Sequence, residues 1–110
     1  MKSCTDLEQS EKLAEILPLE SADMCRSNDG TAIKIDANPY SVRKIMWKDY
    51  EVIPCWSLAA LLGVLPSSTL DSSNDHHYRL HCMERFTEWY DNPIDACYEM
   101  IMRLNEQKLL

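Results

Sequence analysis

The sequence predicts an α+β protein: about three helices packed on a small, mostly antiparallel sheet, as a single pair of layers. Three observations lead there. Asn92 to Leu104 carries the start signal, periodicity and charge placement of an amphipathic helix. Pro54 to Pro66 is a compact apolar run between two prolines, and Tyr78, Leu80 and Cys82 alternate with His77, Arg79 and His81 as a half-buried strand does. A chain of 110 residues is long enough for one core and too short for a second, so residues 1–110 are expected to form one domain.

Taken in order, Thr5 and Glu8 have capping-box spacing, and Leu7, Leu13, Ala14 and Leu17 recur on one side until Pro18. A first helix over about residues 6 to 17 follows. Asn28-Asp29-Gly30 is a turn signal between residues 22–26 and 31–35, and in the second of these Ala32 alternates with Ile33 and Ile35. That reads as a short hairpin. Asn38-Pro39 then breaks the chain, and residues 42–53 mix charged and large apolar side chains without a clean period, as an irregular loop with another strand would.

Ser57 is placed to cap a second helix that is apolar almost all round from Leu58 to Leu65 and closed by Pro66, which predicts a buried helix. Residues 67–75, SSTLDSSND, read as a polar, turn-rich connection. The strand beginning near Tyr78 would pair with residues 86–90, FTEWY, although the turn between them has no glycine. Tyr78, Cys82, Phe86 and Trp89 also share a helical face, which leaves a single helix over 77–90 open. In the last helix Asn92 caps, Pro93 takes the first position and Asp95 sits near the positive end of the dipole. Ile94, Cys97, Tyr98, Ile101 and Leu104 form its apolar stripe, and Glu99 and Arg103 are spaced to pair.

Composition narrows function mainly by exclusion. The net charge of −7, without a basic patch, opposes direct binding to a phosphate backbone, and no apolar run could span a bilayer. The first residues are polar and acidic, unlike a secretory signal or transit peptide, so a cytoplasmic protein is expected. Five cysteines with no C-x-x-C pair argue for reduced thiols rather than a disulfide framework or zinc knuckle. No cofactor is expected, since Gly30 and Gly63 are the only glycines and no phosphate-binding loop motif occurs.

Residues 10–24 (SEKLAEILPLESADM), 53–66 (IPCWSLAALLGVLP) and 78–101 (YRLHCMERFTEWYDNPIDACYEMI) resemble a group of small uncharacterised proteins carried by phages and conjugative elements of Bacteroides-type gut bacteria. The resemblance covers most of the chain outside residues 27–52. It implies an intracellular accessory protein with helices packed on a small sheet, and it assigns no catalytic residue.

His76, His77, His81 and Cys82 are the one group with metal-ligand residue types, but on a strand His77 and His81 stand about 13 Å apart, too far to share an ion. Ordinary surface histidines are the favoured reading, and no metal or catalytic residue is assigned. Tyr40, Trp47 and Tyr50 lie among Arg43, Lys44 and Lys48, an aromatic and basic mixture that can mark a contact surface. The competing reading has Trp47 plugging the edge of the core. A partner-binding or self-association surface of Tyr40, Arg43, Lys44, Trp47 and Tyr50 is the expectation, in a non-enzymatic interaction protein of a mobile element. Two alternatives are an acidic inhibitor that mimics nucleic acid and a small enzyme using a Cys and His pair.

Overall fold

The computed structural model describes residues 3–26, 32–34 and 53–110. Among them the elements are α1 (Leu7–Ile16), β1 (Met24–Arg26), β2 (Ala32–Lys34), β3 (Ile53–Cys55), α2 (Leu58–Val64), β4 (Ser68–Ser72), β5 (Tyr78–Cys82), β6 (Arg85–Phe86) and α3 (Pro93–Glu106). A 3-10 turn, Leu19–Ser21, follows α1. Among the described residues the fold is α+β, with three helices and strands that pair antiparallel in two three-stranded sheets, ordered β2-β1-β3 and β4-β5-β6.

The helix α3 is the centre of the packing, lying on β5 and against α2. Asn92 accepts the Asp95 N–H at 2.8 Å, Pro93 opens the first turn, and the Glu99–Arg103 pair forms at 3.1 Å. Ile94, Cys97, Ile101 and Leu104 are buried as expected, joined by Ala96 and Met100, while Tyr98 is half-buried. Burying such a stripe contributes on the order of 5 to 10 kcal/mol before entropy is subtracted. The helix ends in a Schellman motif: Lys108 takes a φ of 56°, and its neighbour Leu109 donates to the Leu104 carbonyl at 2.8 Å. Leu13, Leu17, Trp56, Leu61, Leu65 and Leu80 complete the core around it.

At the start of α1 the structure corrects the expected cap. Asp6, not Thr5, is the N-cap, and its box partner is Gln9, not Glu8, with N···O distances of 2.8 and 3.1 Å. Thr5 is withdrawn to tie the chain to the segment after β3. Its N–H donates to the Trp56 carbonyl at 2.9 Å, and its hydroxyl accepts the Trp56 N–H at 3.1 Å and pairs with Ser10 at 2.7 Å. Leu7, expected on the apolar side, is 52% exposed.

The hairpin predicted around residues 28–30 exists as β1 and β2, paired from Met24↔Lys34 to Arg26↔Ala32, with its turn outside the described residues. Ser57 caps α2 as expected, and it is itself held by Asp23, which accepts both its N–H and its hydroxyl. The helix is less buried than its apolar sequence implied. Leu61 and Leu65 face the core, while Ala59 and Gly63 are exposed, so the outer face is apolar but made of the smallest side chains.

Residues 67–75 are not simply a connection, since Ser68–Ser72 form β4. The serines and threonine that signalled a turn occupy an edge strand, with Leu70 opposite Leu80 towards the core. Residues 77–90 are strand, turn and strand, which closes the helical alternative. A two-residue turn joins Cys82 to Arg85, with positive φ at both Met83 (52°) and Glu84 (65°). Positive φ at both central residues is what a type I′ hairpin demands, and here two non-glycine residues accept it at a cost of about 1–2 kcal/mol each.

Candidate interaction surface

The strand β5 has two faces set by its two-residue period. Leu80 and Cys82 point to the core, and Arg79 and His81 point outward. Opposed residues share a face, so Thr69 beside His81, Asp71 beside Arg79, and Phe86 beside His81 all belong to the outer one.

A bulge adds the second aromatic ring. Phe86 opposes His81, and Thr87 in turn opposes Leu80, donating its N–H to the Leu80 carbonyl at 3.0 Å while its hydroxyl accepts the Leu80 N–H at 2.9 Å. Regular pairing would then set Trp89 opposite Tyr78, facing inward. Instead Tyr90 bridges Tyr78 through two hydrogen bonds of 2.7 and 2.8 Å. One extra residue is therefore accommodated between Thr87 and Tyr90, the arrangement by which bulges re-aim side chains. Tyr90 packs against the core and Trp89 is turned out over Arg79.

The outcome is an aromatic and cationic platform. The Arg79 guanidinium lies 4.4 Å from the Phe86 ring centroid and 4.7 Å from that of Trp89. His81 stacks on Phe86 with centroids 4.2 Å apart and planes 6° from parallel. Asp71 accepts from both Nε and Nη2 of Arg79, at 3.3 and 3.2 Å. The ion pair, a third exposed on each side, contributes under about 1 kcal/mol, so its main effect is to fix the guanidinium beneath the rings. Arg103 on α3 donates to the Phe86 carbonyl at 3.0 Å and so anchors the platform to the core helix. Phe86 is 49% exposed and Trp89 45%, and Met83, at the tip of the same hairpin, is 43% exposed.

No family model, curated protein or solved structure matches this chain.

Tyr40, Arg43, Lys44, Trp47 and Tyr50, which the sequence singled out, lie outside the described residues. His81 is engaged in the stack, its neighbour Cys82 is buried on the opposite face of β5, and among the described residues no group of three or more His, Cys, Asp or Glu is arranged to hold a metal ion. All five cysteines are buried. Burial pushes the Cys97 thiol up to about 12 and raises Cys25 and Cys82 as well, the latter against the opposing effect of Arg85. Thiols held neutral in this way are weak nucleophiles near pH 7. No helix of the described residues is long and apolar enough to cross a membrane.

Sequence reasoning missed the platform because it placed the turn at residues 83–85. A two-residue turn at Met83-Glu84 puts Phe86 opposite His81, on the outward face, and nothing in the alternation of β5 itself fixes the length of that turn.

Proposed function

We propose that this chain is a non-enzymatic interaction protein that binds another protein through the outer face of β4, β5 and β6. The observation that supports it is the pair of half-exposed aromatic rings, Phe86 and Trp89, held over Arg79. Trp and Arg are the residue types that dominate binding energy at protein interfaces, and a ring already fixed in place loses little entropy when a partner covers it. A protein partner suits the face better than a nucleic acid does. Asp71 already balances the charge of Arg79, and the whole chain carries a net charge of −7. The resemblance of residues 10–24, 53–66 and 78–101 to accessory proteins of phages and conjugative elements supports a role in a mobile element and a cytoplasmic setting. Five buried thiols suit that compartment.

The test is capture of partners from host-cell extract on the immobilised protein, followed by affinity measurement with each captured protein in purified form. Trp89→Ala should weaken binding 10-fold or more, about 1.4 kcal/mol, with the melting temperature within a few degrees of the parent. Trp47→Ala is the comparison, because it probes the surface expected from sequence. If Trp89→Ala binds like the parent and Trp47→Ala does not, the β4-β5-β6 face is the wrong one. Sedimentation of the protein alone separates self-association from binding a different chain.

A further inference from the structure

We propose that Cys4 and Cys55 are a redox pair, joined by peroxide into a reversible disulfide that straps the N-terminal segment to β3. The Cys55 thiol donates to the Cys4 sulfur at 3.2 Å across 51 positions of sequence, and neither residue has any exposed surface. The residues that follow them are fixed to each other. Thr5 donates its N–H to the Trp56 carbonyl at 2.9 Å, and Trp56 donates its own to the Thr5 hydroxyl at 3.1 Å. The two sulfurs therefore need to close by only about 1 Å to reach bonding distance, a movement within the scale of side-chain rotation. Among the described residues Cys82 and Cys97 show no such thiol contact: Cys82 contacts the Pro66 carbonyl at 3.9 Å, and Cys97 lies in the apolar core.

The third thiol of this region is Cys25, whose strand partner is Pro54 and whose ionisation is opposed by burial and then by Cys4. It is the natural competitor for Cys4, and it makes the pairing a question with two distinguishable answers.

The chemistry is balanced with hydrogen peroxide as the oxidant. The Cys4 sulfur attacks one peroxide oxygen, the O–O bond breaks, one water leaves and a sulfenic acid remains. The Cys55 sulfur then attacks the sulfenic sulfur, the S–S bond forms and a second water leaves. Two thiols and one peroxide thus give one disulfide and two waters. The roles follow from placement. Cys4 adjoins exposed Ser3 and becomes accessible when the hydrogen bonds of Thr5 loosen, whereas Cys55 is held within a strand paired to β1.

Peptide mapping of the whole protein decides it, because trypsin cuts after Lys2, Lys12, Arg26, Lys48, Arg79, Arg85 and Arg103 and leaves the five cysteines on five different peptides. After treatment with hydrogen peroxide and alkylation of remaining thiols, peptides 3–12 and 49–79 should appear joined, with the loss of two hydrogens. Dithiothreitol should release them. The melting temperature should rise by on the order of 10 °C in the oxidised form and return on reduction. Cys4→Ser and Cys55→Ser should each abolish the cross-link and the rise. If either variant does not fold, the map of the unaltered chain still decides the pairing. A Cys4–Cys25 link, stepwise oxidation to sulfinic or sulfonic acid without a link, or full alkylation of both thiols would each overturn the proposal.

Discussion

Ile101→Asp should leave no cooperatively folded protein. Ile101 has no exposed surface and stands midway along α3, the helix that covers β5 and meets α2. An ionised carboxylate there has no cationic partner among the core residues, so the chain must unfold locally or bind a proton, and either costs several kcal/mol. Loss of the apolar contacts adds to that. Domains of this size are stable by only about 5–15 kcal/mol, so the sum is a large part of the total. Thermal melting followed by circular dichroism checks it. A sharp melt near the parent temperature would mean that α3 is not the keystone of the core.

Trp56→Ala should cost about 3–5 kcal/mol, the range for removing a large aromatic side chain from a core. Trp56 has no exposed surface, and its indole N–H donates to the Ser21 hydroxyl at 2.9 Å, linking the turn after α1 to the segment between β3 and α2. Trp56→Phe separates packing from hydrogen bonding. It keeps most of the apolar contact and loses the donor, and because Ser21 is only half-buried, water can replace that bond, so its cost should be well below that of alanine. Urea midpoints at constant slope measure both. Equal costs for Phe and Ala would show that the Ser21 bond, rather than the ring, carries the stability.

The parts of the fold that were legible in sequence are those whose signals are local. Asn92, Pro93 and the stripe from Ile94 to Leu104 specify α3 without reference to anything else, and Ser57 does the same for α2. Where sequence reasoning failed, a distant contact outweighed the local preference. Thr5 has the spacing of a cap, but pairing with Trp56 satisfies its N–H and hydroxyl together, and the cap passes to Asp6. Ser68 to Ser72 favour a turn by composition, yet backbone pairing with β5 holds them extended. The candidate surface was illegible for a related reason. A bulge is a mismatch between two strands, and neither Glu88 nor Trp89 carries a mark of it until the Tyr78–Tyr90 bridge is seen.

The two sheets also differ in how far apart along the chain their partners lie. From β4 to β6 each strand pairs with one that adjoins it in sequence, and α3 folds back on β5 a short way before it, whereas β1 must find β3 across residues 27–52 and Thr5 must find Trp56 across 51 positions. Closing the longer loops costs more entropy before any contact offsets it, so the C-terminal half should assemble first during folding and the N-terminal half should be the first to let go. Native-state hydrogen exchange reads that order directly. The amides of β5 and α3 should exchange only on global unfolding, and those of Cys25 and Thr5 through a smaller opening of lower free energy, the same opening that would admit an oxidant to Cys4. Equal protection in both halves would contradict this order and make the molecule a single cooperative unit.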